Sequence, residues 1–323
     1  MSFPMNVLLI AAVLLALAAC QREAGKPAAQ MNAGGANAPS AGSPANLFAQ
    51  AEQTWRDQRR ERLLAPDGWT SLIGLHWIDP GSHYLGSAAD NGIRLTMGPA
   101  HLGMIDIEGD NIRFVPDKGA TLTLDDQPFK APNNLKADLD EDGPSVIGFD
   151  DGKGEATVIK RGDRFALRVK HADAPTRTGF TGLDYWPTDP AWKVEGKYVP
   201  HEAGKTMDVA SIIGTIEPAA NPGLVEFQRD GQTYRIEAID EGDGRLFLVF
   251  ADRTNGHGSY GAGRFLYAEK PDASGKVMID FNQSYNPPCA FTAFATCPLP
   301  PPENRLDVAI TAGEKAYNKP HEG

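Results

Sequence analysis

Cysteine is scarce in this chain: three occur in 323 residues, at positions 20, 289 and 297. That excludes a disulfide-built scaffold and a cysteine-rich zinc module. The seven histidines are scattered, with no H-x-H or H-E-x-x-H spacing. No metal site and no cofactor are therefore expected. Positive charge is also short, with 31 Lys and Arg against 42 Asp and Glu for a formal net charge of −11. An acidic chain is a poor partner for nucleic acid or for an anionic lipid surface. Strands do not alternate with amphipathic helices, which argues against a parallel α/β sheet.

The first nineteen residues hold no charged side chain. Val7 to Ala19 is an apolar run of about a dozen residues, too short for a stable membrane-spanning helix. It has the form of a signal peptide over 1–19. Leu17-Ala18-Ala19-Cys20 resembles the lipobox of bacterial lipoproteins, which implies lipidation at Cys20. Gln21 follows, where retention in the inner membrane would use Asp, so the expected location is the periplasmic face of the outer membrane. The membrane is then a partner only through the lipid. Residues 20–45 are rich in Ala, Gly, Pro, Ser and Asn without apolar periodicity and read as a flexible tether. Such a tether spans roughly 28 Å.

The rest predicts an all-β protein of antiparallel sandwich or barrel modules with one N-terminal amphipathic helix. Ser43 is placed to cap that helix and Pro44 to open it. Leu47, Phe48, Ala51 and Trp55 share a face. Arg56, Arg59, Arg60 and Arg62 read as its solvated side. Beyond Trp69, short strand patterns recur with turn signals every 8–12 residues. Arg161-Gly162-Asp163 and Arg229-Asp230-Gly231 mark hairpins. The expected modules are 46–172 and 180–316, parted by the Thr- and Pro-rich stretch around Ala172–Pro190.

Asp280 to Asn304 has the most unusual composition, with six prolines and two cysteines. Proline removes backbone donors, so this segment suits a fixed irregular loop. Cys289 and Cys297 are a candidate disulfide, closing a loop worth roughly 2.5 kcal/mol in chain-entropy terms. Nearby, Gly256-His257-Gly258-Ser259-Tyr260-Gly261 spells G-x-G-x-x-G, but a strand pattern follows where dinucleotide binding needs a helix. Ser259 lacks the serine-elbow context, and His257 lies on the opposite face of an extended chain. Asp252 and Thr254 end one apolar strand and Arg264 begins the next. This places Arg264 either in an ion pair with Asp252 or as a clamp for an anion. Asp280 and Asn282 share a strand face. With Asn286 they either satisfy the loop's backbone or face a ligand alongside Tyr285.

These residues carry a resemblance. The pieces are Asp252-x-Thr254, Tyr260-Gly261-x-Gly263-Arg264, Asp280-Phe281-Asn282, Tyr285-Asn286-Pro287-Pro288-Cys289-Ala290, Cys297-Pro298-Leu299-Pro300-Pro301, Asn304-x-Leu306 and Ala312-Gly313-Glu314. Asp67-Gly68-Trp69 and Arg161-Gly162 to Arg168 fit upstream. Together they resemble the domain-of-unknown-function family sixteen eighty-four, from about Trp55 to Glu314. The resemblance implies a residue set and no activity.

Three functions stay open. A binding module would take a small polar or anionic ligand through Arg168, Asp252, Thr254, Tyr260, Arg264, Asp280, Asn282, Tyr285, Asn286, Asn304 and Glu314. A hydrolase would use Asp280 or Glu314 as base with Arg264 on the oxyanion. A purely structural envelope lipoprotein would use the same groups to tie loops down.

Overall fold

The structure is a computed structural model that describes residues 42–318. The signal-peptide, lipobox and most of the tether readings lie outside those residues. The first element is the expected helix, α1, over Pro44–Leu63. Ser43 accepts from the Asn46 N–H at 3.3 Å, and Pro44 occupies the first turn. What α1 buries corrects the sequence reading. Leu47 is 56% exposed, whereas Glu52, Arg59 and Leu63 are buried. Arg59 leaves the solvated side because a carboxylate from the far end of the chain is there to meet it.

Beyond α1, apart from the one-turn helix Pro175–Thr178, the chain is built mostly on antiparallel sheets, so the fold is all-β. In the first half, a six-stranded sheet sets Arg164–His171 between Leu72–Ile78 and Gly154–Arg161. A five-stranded sheet is centred on Gly81–Gly86, Gly103–Glu108 and Asn111–Pro116. Alternate residues of both sheets, such as Ile105, Phe114, Leu167 and Val169, form one apolar core.

In the second half, Lys193–Pro200 lies between Gly223–Arg229 and Lys276–Asp280. Against that sheet packs the hairpin Arg245–Phe250 with Arg264–Glu269, paired from Arg245↔Glu269 to Phe250↔Arg264. One face of this hairpin puts Leu246, Leu248, Phe250 and Leu266 into the main core. The other puts Phe247, Val249 and Phe265 against Val209, Ala295 and Cys297. Burial on both faces explains the unbroken apolar run Leu246–Phe250. Asp230 and Gly231 close the predicted hairpin with φ of 51° and 77°. Positive φ at both central positions is what a two-residue type I′ turn requires.

Apolar alternation at Leu306, Val308 and Ile310 reads as a strand, and the structure has none there. Leu306–Ile310 forms no regular strand because its backbone groups are taken singly. Leu306 N–H donates to Ala251, Arg253 N–H donates to Val308, and Ile310 N–H donates to the Asp252 side chain. No helix among the described residues is long and apolar enough to cross a membrane.

Candidate functional site

Most of the polar residues singled out in the sequence are turned inward as ties. Arg264 is fully buried. Its guanidinium donates to Asp252 Oδ2 at 2.6 Å, to the Ile310 carbonyl at 2.9 Å and to the Ala312 carbonyl. Asp252 in turn accepts from the N–H groups of Thr254 and Ile310 at 2.7 and 3.2 Å. The Arg264 head therefore spends its main donors on the C-terminal loop and not on a ligand. Thr254 donates to Ser259 Oγ at 2.8 Å, and Trp186 Nε1 donates to the same oxygen at 3.1 Å. His257 is exposed while Ser259 is buried, so they form no catalytic pair. Glycine stands at 258 for a packing reason, since a Cβ there would sit 2.6 Å from the Trp186 ring.

The other family residues behave alike. Asn304 accepts from Glu237 N–H at 2.7 Å and donates to the Glu237 and Val249 carbonyls. Asn282 clasps Asp189 through both its amide and its oxygen, and also donates to Asp280 Oδ1 at 2.9 Å. Asp280 Oδ2 lies 3.2 Å from Lys193 Nζ, an ion pair without hydrogen-bond geometry. Glu314 is fully buried. It accepts from Arg59 Nε at 2.9 Å and from Asn286 N–H at 2.7 Å. Arg59 also reaches the Asn286 carbonyl, so α1, the proline-rich loop and the chain's end meet at one point. Tyr260 donates to the Cys289 carbonyl at 3.3 Å. Asp280 and Arg264 thus serve separate loops.

The expected disulfide is not formed. Cys289 and Cys297 remain unbridged, with the Cys289 N–H 3.1 Å from Cys297 Sγ. The neighbouring Cys289 thiol and burial push the Cys297 thiol up, away from the reactive thiolate.

Two of the singled-out residues, Arg168 and Tyr285, line a cavity of about 1000 Å³. Four parts of the chain supply most of its walls. The strand Arg164–His171 sends Leu167 and Val169 into its own core and Arg168 and Lys170 to the cavity. The hairpin of the second half contributes Phe247, Phe265 and Tyr267 from its other face. From α1 come Trp55, Gln58, Arg59 and Arg62, and the proline-rich loop adds Thr296 and Cys297. Arg168 donates to Thr296 Oγ1 at 3.3 Å and lies 5.5 Å over the Trp69 ring. Its Nε is buried and meets no acceptor, and among the described residues Arg168 makes no ion pair. Burial, then the neighbouring Arg161 charge, holds its guanidinium below the ordinary value. Burial does the same to Lys170. Tyr285 stacks on Tyr267 and carries Arg59 at 4.5 Å over its ring. Burial raises both phenols, and Tyr267 donates to Glu241 at 2.5 Å.

Residues 178–315 match the model of the family described as "Protein of unknown function (DUF1684)". Over these residues the chain belongs to that family. Among solved structures it is similar to an uncharacterized protein of Haloarcula marismortui, determined in solution by NMR. The two share 30% identity, with 43% of this chain and 78% of that one covered and a TM-score of 0.37. No curated protein matches the chain.

The DUF1684 segment supplies one wall of the cavity, and residues before it supply α1 and the Arg168 wall. Sequence reasoning missed Lys170, Tyr267 and Trp69. The signal was present as spacing. Arg168 and Lys170, like Phe265, Tyr267 and Glu269, stand two apart on strands whose intervening residues are apolar.

Proposed function

We propose that this protein binds a small anionic molecule in the cleft between its two β halves, with Arg168 as the principal anchor. The observation that carries this is the half-buried Arg168. It faces a ligand-sized cavity without a carboxylate partner and with an unmet buried donor. A guanidinium is costly to desolvate and is normally paired when buried. Arg264 also has an unmet Nε, and the contrast lies in its charge, which is answered by Asp252 within the fold. The cavity lies at the upper end of the usual ligand-site range of about 300–1000 Å³. Its aromatic walls suit the apolar body of a small molecule. Asp280 and Glu314, the bases a hydrolase reading would use, do not line it.

Isothermal titration with benzoate and inorganic phosphate tests this. At least one should bind, and Arg168→Gln should weaken that binding tenfold or more while leaving the melting temperature of the free protein within a few degrees. Binding that survives Arg168→Gln undiminished would remove Arg168 from the site.

We also propose that Cys20 carries a lipid and tethers the folded part to the periplasmic face of an outer membrane. The apolar run and the Leu-Ala-Ala-Cys sequence support this. Radiolabelled palmitate should be incorporated by the wild type, and label persisting in Cys20→Ala would contradict the anchor.

A further inference from the structure

The charges around the cleft are sorted by depth, and that sorting narrows the ligand. Six basic side chains line it, and three are answered by carboxylates outside the lining. Arg59 pairs with Glu314, Arg161 with Asp138 and Arg245 with Asp243, at 2.5–2.9 Å. Of the remaining cations, Arg168 and Lys170 are half-buried and Arg62 is exposed. The lining carboxylates, Asp67, Glu241 and Glu269, are all exposed. Two of the three cations without an ion pair therefore sit inside, and the carboxylates sit at the rim with Arg62.

A polyanion would meet that rim at a repulsive distance, since charges within a Debye length of about 10 Å still interact at moderate salt. A purely aromatic acid would satisfy Arg168 but bring no hydroxyl donors to the rim carboxylates. What fits both depths is one carboxylate-type anion inside and hydrogen-bond donors outside. Glu241 already accepts the Tyr267 hydroxyl at 2.5 Å, and a carboxylate keeps lone pairs to accept a further hydroxyl from a ligand in the cleft. Arg245 lies 3.9 Å over the Tyr267 ring and Arg59 lies 4.5 Å over Tyr285, so the aromatic surface open to a ligand is that of Trp69, 37% exposed. Flat aromatic surfaces of this kind accept the C–H face of a saturated sugar ring.

We infer that the cleft recognises a monoanionic hydroxylated acid of the sugar-acid class, its carboxylate on Arg168 and Lys170 and its hydroxyls toward Glu241. This rests on the anion-binding reading above and specifies its ligand class.

Titration calorimetry with D-glucuronate, D-glucose, benzoate and ATP tests it, using the wild type, Arg168→Gln, Lys170→Gln and Glu241→Gln. Glucuronate is expected to bind at least tenfold more tightly than glucose and than ATP. Arg168→Gln and Lys170→Gln should each weaken it at least fivefold. Glu241→Gln should weaken glucuronate at least threefold and leave benzoate unchanged. Circular dichroism melts of each variant confirm folding. If ATP binds as tightly as glucuronate, or glucose as tightly, the sugar-acid assignment is overturned. If benzoate binds through Arg168 and glucuronate does not, the anion site stands and the sugar-acid class falls. If none of the four ligands binds, both readings fall.

Discussion

Arg168 and Arg264 show how one residue type takes two roles according to what surrounds it. Arg264 is locked among Asp252, Ile310 and Ala312 with no exposure, so its removal tests folding and not binding. Arg264→Met is expected to cost about 3–5 kcal/mol, because it strands a buried carboxylate. Replacing both partners often restores stability when a buried pair is swapped for apolar residues. Here Arg264→Met with Asp252→Leu should recover only part of the loss. Asp252 also accepts the N–H groups of Thr254 and Ile310, and those donors would stay buried and unmet. Urea denaturation of the single and double variants measures this, and full recovery in the double variant would show that the backbone donors find other partners.

At the scale of elements, α1 is the piece whose placement was least legible. Its start followed from Ser43 and Pro44, which are local signals. Its partners did not, because Arg59 meets Glu314 across 255 positions and no local pattern records that. Hairpins around Gly162 and Gly231 were readable from turn chemistry, and Leu306–Ile310 was misread because apolar alternation also suits a buried irregular loop. The polar family residues could be named from sequence, while their role as ties needed the geometry. Glu52 on α1 gives a pH test of the same packing. Burial, and then the Asp280 carboxylate, raise its carboxyl above the ordinary value of 4.5. The folded state therefore keeps a proton that the unfolded chain releases near that value. Where the folded state binds more protons, stability falls as pH rises. The wild type should lose stability as pH climbs from about 4.5 through the raised value, by this group's contribution. Glu52→Gln should remove that slope, since an amide can still accept from Gln283 and donate toward Asp280. Denaturant midpoints at pH 4 and pH 7 measure it, and identical slopes in both proteins would show that Glu52 titrates normally in the fold.

For the whole molecule, a chain of net charge −11 proposed to bind an anion faces opposing fields. The long-range potential repels the ligand, while Arg168 and Lys170 attract it at close range inside the cleft. Salt weakens the two unequally. Exposed charges separated by more than the Debye length, about 10 Å at 0.1 M, are screened, and partly buried contacts are screened much less. Raising salt should therefore remove more repulsion than attraction. The affinity for a monoanion such as benzoate is expected to change less than twofold, or to rise, between 20 and 200 mM sodium chloride. A basic surface patch would show the reverse, with affinity falling steeply as counterions compete. Calorimetric titration at both concentrations distinguishes them. A fall of fivefold or more with salt would place the anion on exposed cations such as Arg62, outside the half-buried Arg168 and Lys170 seat that depth and pairing single out.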